Sequence, residues 1–105
     1  MGYSVIRYQV KDAALGENRL LIEKVFEQLA EAVPEGLGYL VLELENGEFM
    51  HIVRTADDGT SPLPGLSAFR AFTEGHAERR ATPVARSLAT VLGNHRMLVG
   101  NTVDA

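Results

Sequence analysis

The chain has 105 residues, 46% of them hydrophobic, with 14 acids against 10 bases and a formal net charge of −4. That is one domain with enough apolar content for a packed core, which excludes a disordered chain, and the acidic balance argues against a general nucleic-acid binder. With no cysteine, no membrane-length apolar run and no charged-then-apolar leader, disulfides and thiolate zinc sites are excluded and a cytoplasmic protein without membrane contact is expected.

Tyr3 to Val10 alternates as a strand, with Ile6, Tyr8 and Val10 on one face and Tyr3, Val5, Arg7 and Gln9 on the other. Lys11 to Gly16 reads as a loop. From Glu17 the period turns helical. Leu21, Ile22, Val25, Phe26, Leu29, Ala32 and Val33 recur at three- and four-residue spacing, and Glu23, Glu27, Gln28 and Glu31 occupy the wet side. Pro34 and Gly36 stop the helix.

Gly36 to Thr55 holds two apolar runs on either side of Asn46-Gly47. That dipeptide predicts a hairpin with a two-residue type I′ loop, which needs positive φ at both residues. In that register Leu44 pairs with Phe49, Leu42 with His51 and Leu40 with Val53. One face then carries Leu40, Leu42, Leu44, Phe49, His51 and Val53. The other carries Tyr39, Val41, Glu43, Met50, Ile52 and Arg54. Neither face is polar throughout, so both must be covered.

Ala56 to Gly65 is a loop rich in Gly, Pro, Asp and Ser, long enough for a binding loop or for a stiffened crossover over the sheet. Leu66 to Arg80 predicts a second helix, capped by Ser67 and ended by Pro83, with Phe69, Phe72 and His76 on one face. Arg70, Arg79, Arg80 and Arg86 crowd this region, as an anion site or, more commonly, as a solvated helix face. A last strand is centred on Leu88 to Leu92. Met97 and Leu98 extend it, and Gly93-Asn94 marks a bulge or break. Residues 100–105 form a flexible tail.

The order strand, helix, strand, strand, helix, strand is the split βαβ of an α+β, ferredoxin-like βαββαβ domain over residues 1–99. Right-handed crossovers put both helices on one face of a four-stranded antiparallel sheet. The other face is too apolar to leave in water. A homodimer, sheet face against sheet face, is expected.

The element order, the opening VIRYQVK, the FMHIV strand and PLPGLSAFRAF before the second helix are similar to those of the antibiotic biosynthesis monooxygenase-like proteins of the dimeric α/β-barrel superfamily. The resemblance covers about residues 3–98 at the level of pattern. It implies two ferredoxin-like units sharing a barrel, a cavity between sheet and helices, and oxygenation of a small aromatic or polyketide-type molecule with no bound cofactor. It also admits a non-catalytic dimer, stress-associated or holding a small hydrophobic ligand. Haem-degrading members use a Trp, an Asn on the first strand and a His on the second helix. This chain lacks the first two, and only His76 has a counterpart.

His76, in line with Phe69 and Phe72, fits an axial ligand or a base facing the cavity. The commoner reading is a histidine hydrogen-bonded at the rim of the helix–sheet interface. His51, mid-strand among apolar residues, fits a base acting on an aromatic substrate or a satisfied core histidine. No metal site is expected, because the three histidines show no ligand spacing. Arg7, Glu43 and Arg54 are charges on apolar strands. They fit a polar cluster that orients a small anionic or phenolic ligand, or an ion-pair network at the edge of the dimer interface. Tyr3, Tyr8 and Tyr39 have hydroxyls to offer a cavity, and a ring in the core with a wet tip is just as ordinary. The resemblance implies substrate deprotonation by His51 or His76, with Arg7 or Arg54 stabilising the phenolate.

Overall fold

A computed structural model describes residues 2–55 and 60–97. Strand β1 (Tyr3–Gln9) leads through a single 3₁₀ turn into helix α1 (Leu15–Ala32), followed by β2 (Gly38–Glu43), β3 (Glu48–Arg54), α2 (Ser67–Thr73), the one-turn α3 (His76–Arg79) and β4 (Ala85–Ala89). All pairings are antiparallel, in the order β2-β3-β1-β4. This is the expected α+β ferredoxin-like arrangement. The core of Tyr8, Val10, Ile22, Val25, Phe49, Val53, Leu63 and Phe72 lies between one sheet face and the helices. Among the described residues no helix is long and apolar enough to cross a membrane. The expected tail at 100–105, and Leu98, lie outside the described residues.

Strand β1 presents its faces as its alternation demands. The hairpin does not follow the type I′ expectation. Its register is Glu43↔Phe49, Leu42↔Met50, Val41↔His51, Leu40↔Ile52 and Tyr39↔Val53, one residue away from the expected one. Gly47 has a φ of 84°, but neither Glu45 nor Asn46 has a positive φ. The loop is therefore three residues with Gly47 alone left-handed, closed by Leu44 N–H to Glu48 O at 2.8 Å and Gly47 N–H to Leu44 O at 3.1 Å. Asn46 stays out of the left-handed region while its Oδ1 accepts from Glu48 N–H at 3.1 Å. A slip of one residue exchanges the faces of a strand. Tyr39, Val41 and Glu43 thus join Phe49, His51 and Val53 on the helix-covered face. Leu40 and Leu42 join Met50, Ile52 and Arg54 on the other.

Two further expectations change. The second helix is broken. Glu74 leaves the helical region, Gly75 turns left-handed at φ 74°, and α3 starts afresh at His76. The break frees carbonyls that Arg79, folded back and buried, satisfies by donating to the backbone oxygens of Phe72 and Glu74. Ser67 is not the cap. Gln28 of α1 does that work, accepting from Ala68 N–H at 2.8 Å and donating to Ser67 Oγ at 3.2 Å. The last strand is also earlier than expected, because its partner β1 begins at Tyr3, which pairs with Ala89. Beyond that residue there is no strand to pair with.

The Gly47 turn is predicted to be intolerant. Gly47→Ala must hold φ near 84° with its new Cβ 3.0 Å from the Gln9 amide. Urea denaturation should show a loss of about 1–3 kcal/mol.

Candidate functional site

The helix-covered face gathers its polar groups in one place. Strand β3 supplies His51, and Val41 and Ile6 pair with it on either side. Two residues further along, β1 supplies Tyr8, which pairs with Phe49. From the other side β2 supplies Tyr39. Each hydroxyl meets one ring nitrogen of His51: Tyr8 Oη lies 2.7 Å from Nε2, and Tyr39 Oη lies 2.7 Å from Nδ1. His51 is buried, so both polar ring atoms need partners and both have them.

The chain of bonds runs on into the helices. Asn18 of α1, fully buried, donates from Nδ2 to Tyr8 Oη at 3.2 Å. Arg79 of α3 donates from Nε to Asn18 Oδ1 at 3.1 Å. The result is an unbroken line, Arg79–Asn18–Tyr8–His51–Tyr39. Aromatic rings encase it. Phe72 lies 5.5 Å from His51, Phe49 stacks on Tyr8 at 5.8 Å, and the Arg79 guanidinium stands 5.3 Å over Phe72.

Burial sets the titration of this line. It pushes His51 down to about 4, with His76 nearby adding to the effect. It pushes Tyr8 up to about 12 despite the opposing Asn18 bond and the Arg79 and Arg80 charges. Tyr39 is driven up by burial and by Tyr8. His76 stands with its ring 4.5 Å from that of Tyr8, edge to face, and 5.0 Å from Phe72. It too is lowered to about 4, by burial and then by Arg80 and Arg79. Its Nε2 is buried without a hydrogen-bond partner.

Of the residues singled out in the sequence, His51, His76 and Tyr39 come together. The charged trio does not. Glu43 lies on the helix-covered face, where Arg19 holds it with two bonds of 2.6 Å and lowers its pKa through that bond. Arg7 and Arg54 lie on the opposite face. Arg7 pairs with Glu48 at 3.3 Å, and Arg54 lies against the Gly38 backbone. The whole sheet separates them from both histidines, so neither can serve His51 as a phenolate partner within one protomer. The hairpin register moves Glu43 away from Arg7 and Arg54, while strand alternation alone sets both arginines on the face opposite His51. Asn18 was not singled out, and Arg79 was read only as one of four clustered arginines. Asn18 carries a signal, a polar residue in phase with Ile22, Val25 and Leu29 on the apolar stripe. Arg79 carries none, because a solvated helix face has the same composition. Among the described residues no group of three His, Asp or Glu is placed to hold a metal ion.

A groove of about 610 Å³ opens between α1 and β2. Ile22, Phe26, Val41 and Phe49 form its apolar lining, and Arg19, Glu23, Glu27 and Glu43 its charged part. Phe26 stacks on Tyr39 at 5.1 Å. The outer end of the hydrogen-bonded line therefore sits directly behind the groove wall, and Tyr39 keeps partial solvent access.

No protein-family model matches the chain, and no curated relative does. Solved structures do. An antibiotic biosynthesis monooxygenase matches with a TM-score of 0.68 at 15% identity, over 89% of this chain and 100% of that one. The chain has the antibiotic biosynthesis monooxygenase fold. Rv0793 from Mycobacterium tuberculosis matches at 0.64 and 19% identity, over 90% of this chain and 98% of its own. A mutant of SnoaB, a cofactor-independent oxygenase from Streptomyces nogalater, matches at 0.62 and 15% identity, over 89% and 94%. At these identities the likeness is one of fold, and activity has to be argued from the site.

The two depressed histidines make acid sensitivity predictable. Between pH 6.5 and about 4 the unfolded chain binds protons that His51 and His76 refuse in the folded chain. Stability therefore falls as pH is lowered through that window. Urea midpoints from pH 7 to pH 4 should decline, and the decline should be shallower in His51→Gln.

Proposed function

We propose that the protein is a cofactor-independent monooxygenase acting on a small hydroxylated aromatic of polyketide type. The observation that carries this reading is His51, held through both ring nitrogens by tyrosine hydroxyls behind an open groove. Such a substrate brings its own electrons. In the ring-ketone tautomer of such a substrate one ring carbon carries two hydrogens; one atom of O₂ replaces them to leave a carbonyl, and the other departs with them as water. The protein's share is to hold the ring against the apolar wall of Phe26, Val41 and Phe49 and to hydrogen-bond its oxygen as charge develops there. The Tyr39–His51 couple is the group nearest the groove for that second task. The fold shared with a cofactor-independent oxygenase supports the reading. The rival is a non-catalytic binding dimer whose cavity holds a hydrophobic small molecule or is filled by Phe69, Phe72 and Met50. Phe69 and Phe72 do pack on the His51 side of the sheet, Met50 lies on the far side, and the groove beside Tyr39 stays open.

We also propose that a second copy covers the sheet face without helices. Leu40, Ile52 and Val5 form one apolar row across three strands of that face. On the same face Leu42, opposite Met50, is 42% exposed. A face of this size in water is costly, and a second identical face covers it.

Two measurements test these readings. With a panel of quinols and hydroxylated anthracenes, an oxygen electrode should record one O₂ consumed per substrate without added flavin or metal. His51→Ala should lower kcat at least about 100-fold. A panel with no uptake, or a variant with the wild-type rate, would favour the binding protein. Native mass spectrometry should show a dimer, and Ile52→Glu, which places a charge at the centre of the apolar row, should shift it to monomer.

A further inference from the structure

We infer that Arg79 and Asn18 are positioning residues that fix the direction of the proton line, so that Tyr39, at its outer end behind the Phe26 wall of the groove, keeps a hydroxyl proton to donate outward. The role rests on the oxygenase reading; the direction rests on hydrogen-bond geometry alone.

The argument starts at the cation. An arginine side chain only donates. Arg79 Nε at 3.1 Å therefore requires the oxygen of the Asn18 amide to face it. The Asn18 NH₂ must then face Tyr8, 3.2 Å away, and Tyr8 Oη accepts. Tyr8 has one proton of its own. Its oxygen is buried, and its other partner is His51 Nε2 at 2.7 Å. If that nitrogen carried the proton instead, Tyr8 would be left with a buried hydroxyl proton and no acceptor, the costly arrangement that buried polar groups avoid. Tyr8 therefore donates and Nε2 is bare. A neutral imidazole has one N–H, so it sits on Nδ1 and donates to Tyr39 Oη at 2.7 Å. The proton of Tyr39 is then the one member of the line with no acceptor inside it.

This direction narrows the substrate. The oxygen that Tyr39 can serve is an acceptor: a ring ketone, or the oxyanion that develops on it, not a hydroxyl that must give its proton to the line. A preorganised donor aimed at a developing oxyanion is worth more in a water-poor site than in solution. The groove selects in the same sense at its rim. Glu23 and Glu27 lie beside the paired Arg19 and Glu43, which repels carboxylates and phosphates. The geometry points to an aromatic that enters uncharged and accepts a hydrogen bond through a ring oxygen.

The test reads the tautomer without substrate. In a long-range ¹H–¹⁵N spectrum of the histidine side chains, with His51 assigned by the signal missing from His51→Gln, wild-type His51 should show a protonated Nδ1 and a bare Nε2. The reverse pattern would overturn the inference. Asn18→Asp should invert the line. Its carboxylate pairs with Arg79 but can only accept from Tyr8, so Tyr8 turns round, Nε2 takes the proton and Nδ1 becomes the bare nitrogen. A folded Asn18→Asp protein with the wild-type tautomer would remove Asn18 from the positioning role. Because the tautomer is read without a substrate, the inference fails or stands separately from the oxygenase reading. Where oxygen uptake is measured, the inverted line should lower kcat about tenfold or more with KM little changed.

Discussion

Gly47 holds a φ of 84° at the tip of the β2–β3 hairpin, and the register that follows governs what His51 can touch. With the three-residue loop, Tyr39 and Val41 share the face of His51, and Tyr39 reaches its Nδ1. One residue of slip would set Leu40 and Leu42 there instead. His51 would then keep Tyr8 on one side and face hydrocarbon on the other, with a buried ring nitrogen unpaired. The Gln9 side chain, which donates to the Asn46 carbonyl, ties the turn to β1 and secures the same choice from outside the hairpin.

The buried line from Arg79 to Tyr39 is complete, and that is the condition for tolerating it. In a low-dielectric interior a fully bonded network gains strength from each link, and a partly bonded one is worse than an apolar core. Every member comes from a different element: α3, α1, β1, β3 and β2 in turn. The network therefore fixes how the helices sit on the sheet as well as which proton goes where. The break at Gly75 belongs to this scheme. A continuous helix would satisfy the carbonyls of Phe72 and Glu74 by itself. The break leaves them for Arg79, which is drawn into the interior with its Nε directed at Asn18.

The two faces of the sheet divide the work. The face toward the helices holds the titratable cluster, its protonation states displaced by burial. The open face holds an apolar row with the Arg7–Glu48 pair on it. That separation is why the expected partnership of Arg7 or Arg54 with a histidine fails within a protomer, and why the candidate chemistry relies on hydroxyl dipoles rather than on a nearby cation. The fold itself does not choose the reaction. The choice rests on the Tyr–His–Tyr arrangement and on the groove beside it.

Much of this was legible in the chain. The order of elements, the faces of β1 and the stripe of α1 follow from side-chain periodicity, which is a local property. His51, His76 and Tyr39 could be picked out because polar or ionisable groups in apolar runs need partners, and Asn18 carried the same signal on α1. The hairpin register was not decided locally. Asn46-Gly47 fits both a two-residue and a three-residue loop, and the bond that Gln9 donates to the Asn46 carbonyl is one that only the assembled sheet supplies. The break at Gly75 and the end of β4 at Ala89 were equally beyond reach, one set by the side chain of Arg79 and the other by where β1 starts. The sequence by itself determined the βαββαβ order and which residues had to be buried. Only the tertiary structure decided which of those residues meet, because a hydrogen bond between Tyr8 and His51, forty-three positions apart, depends on a register that no single strand contains.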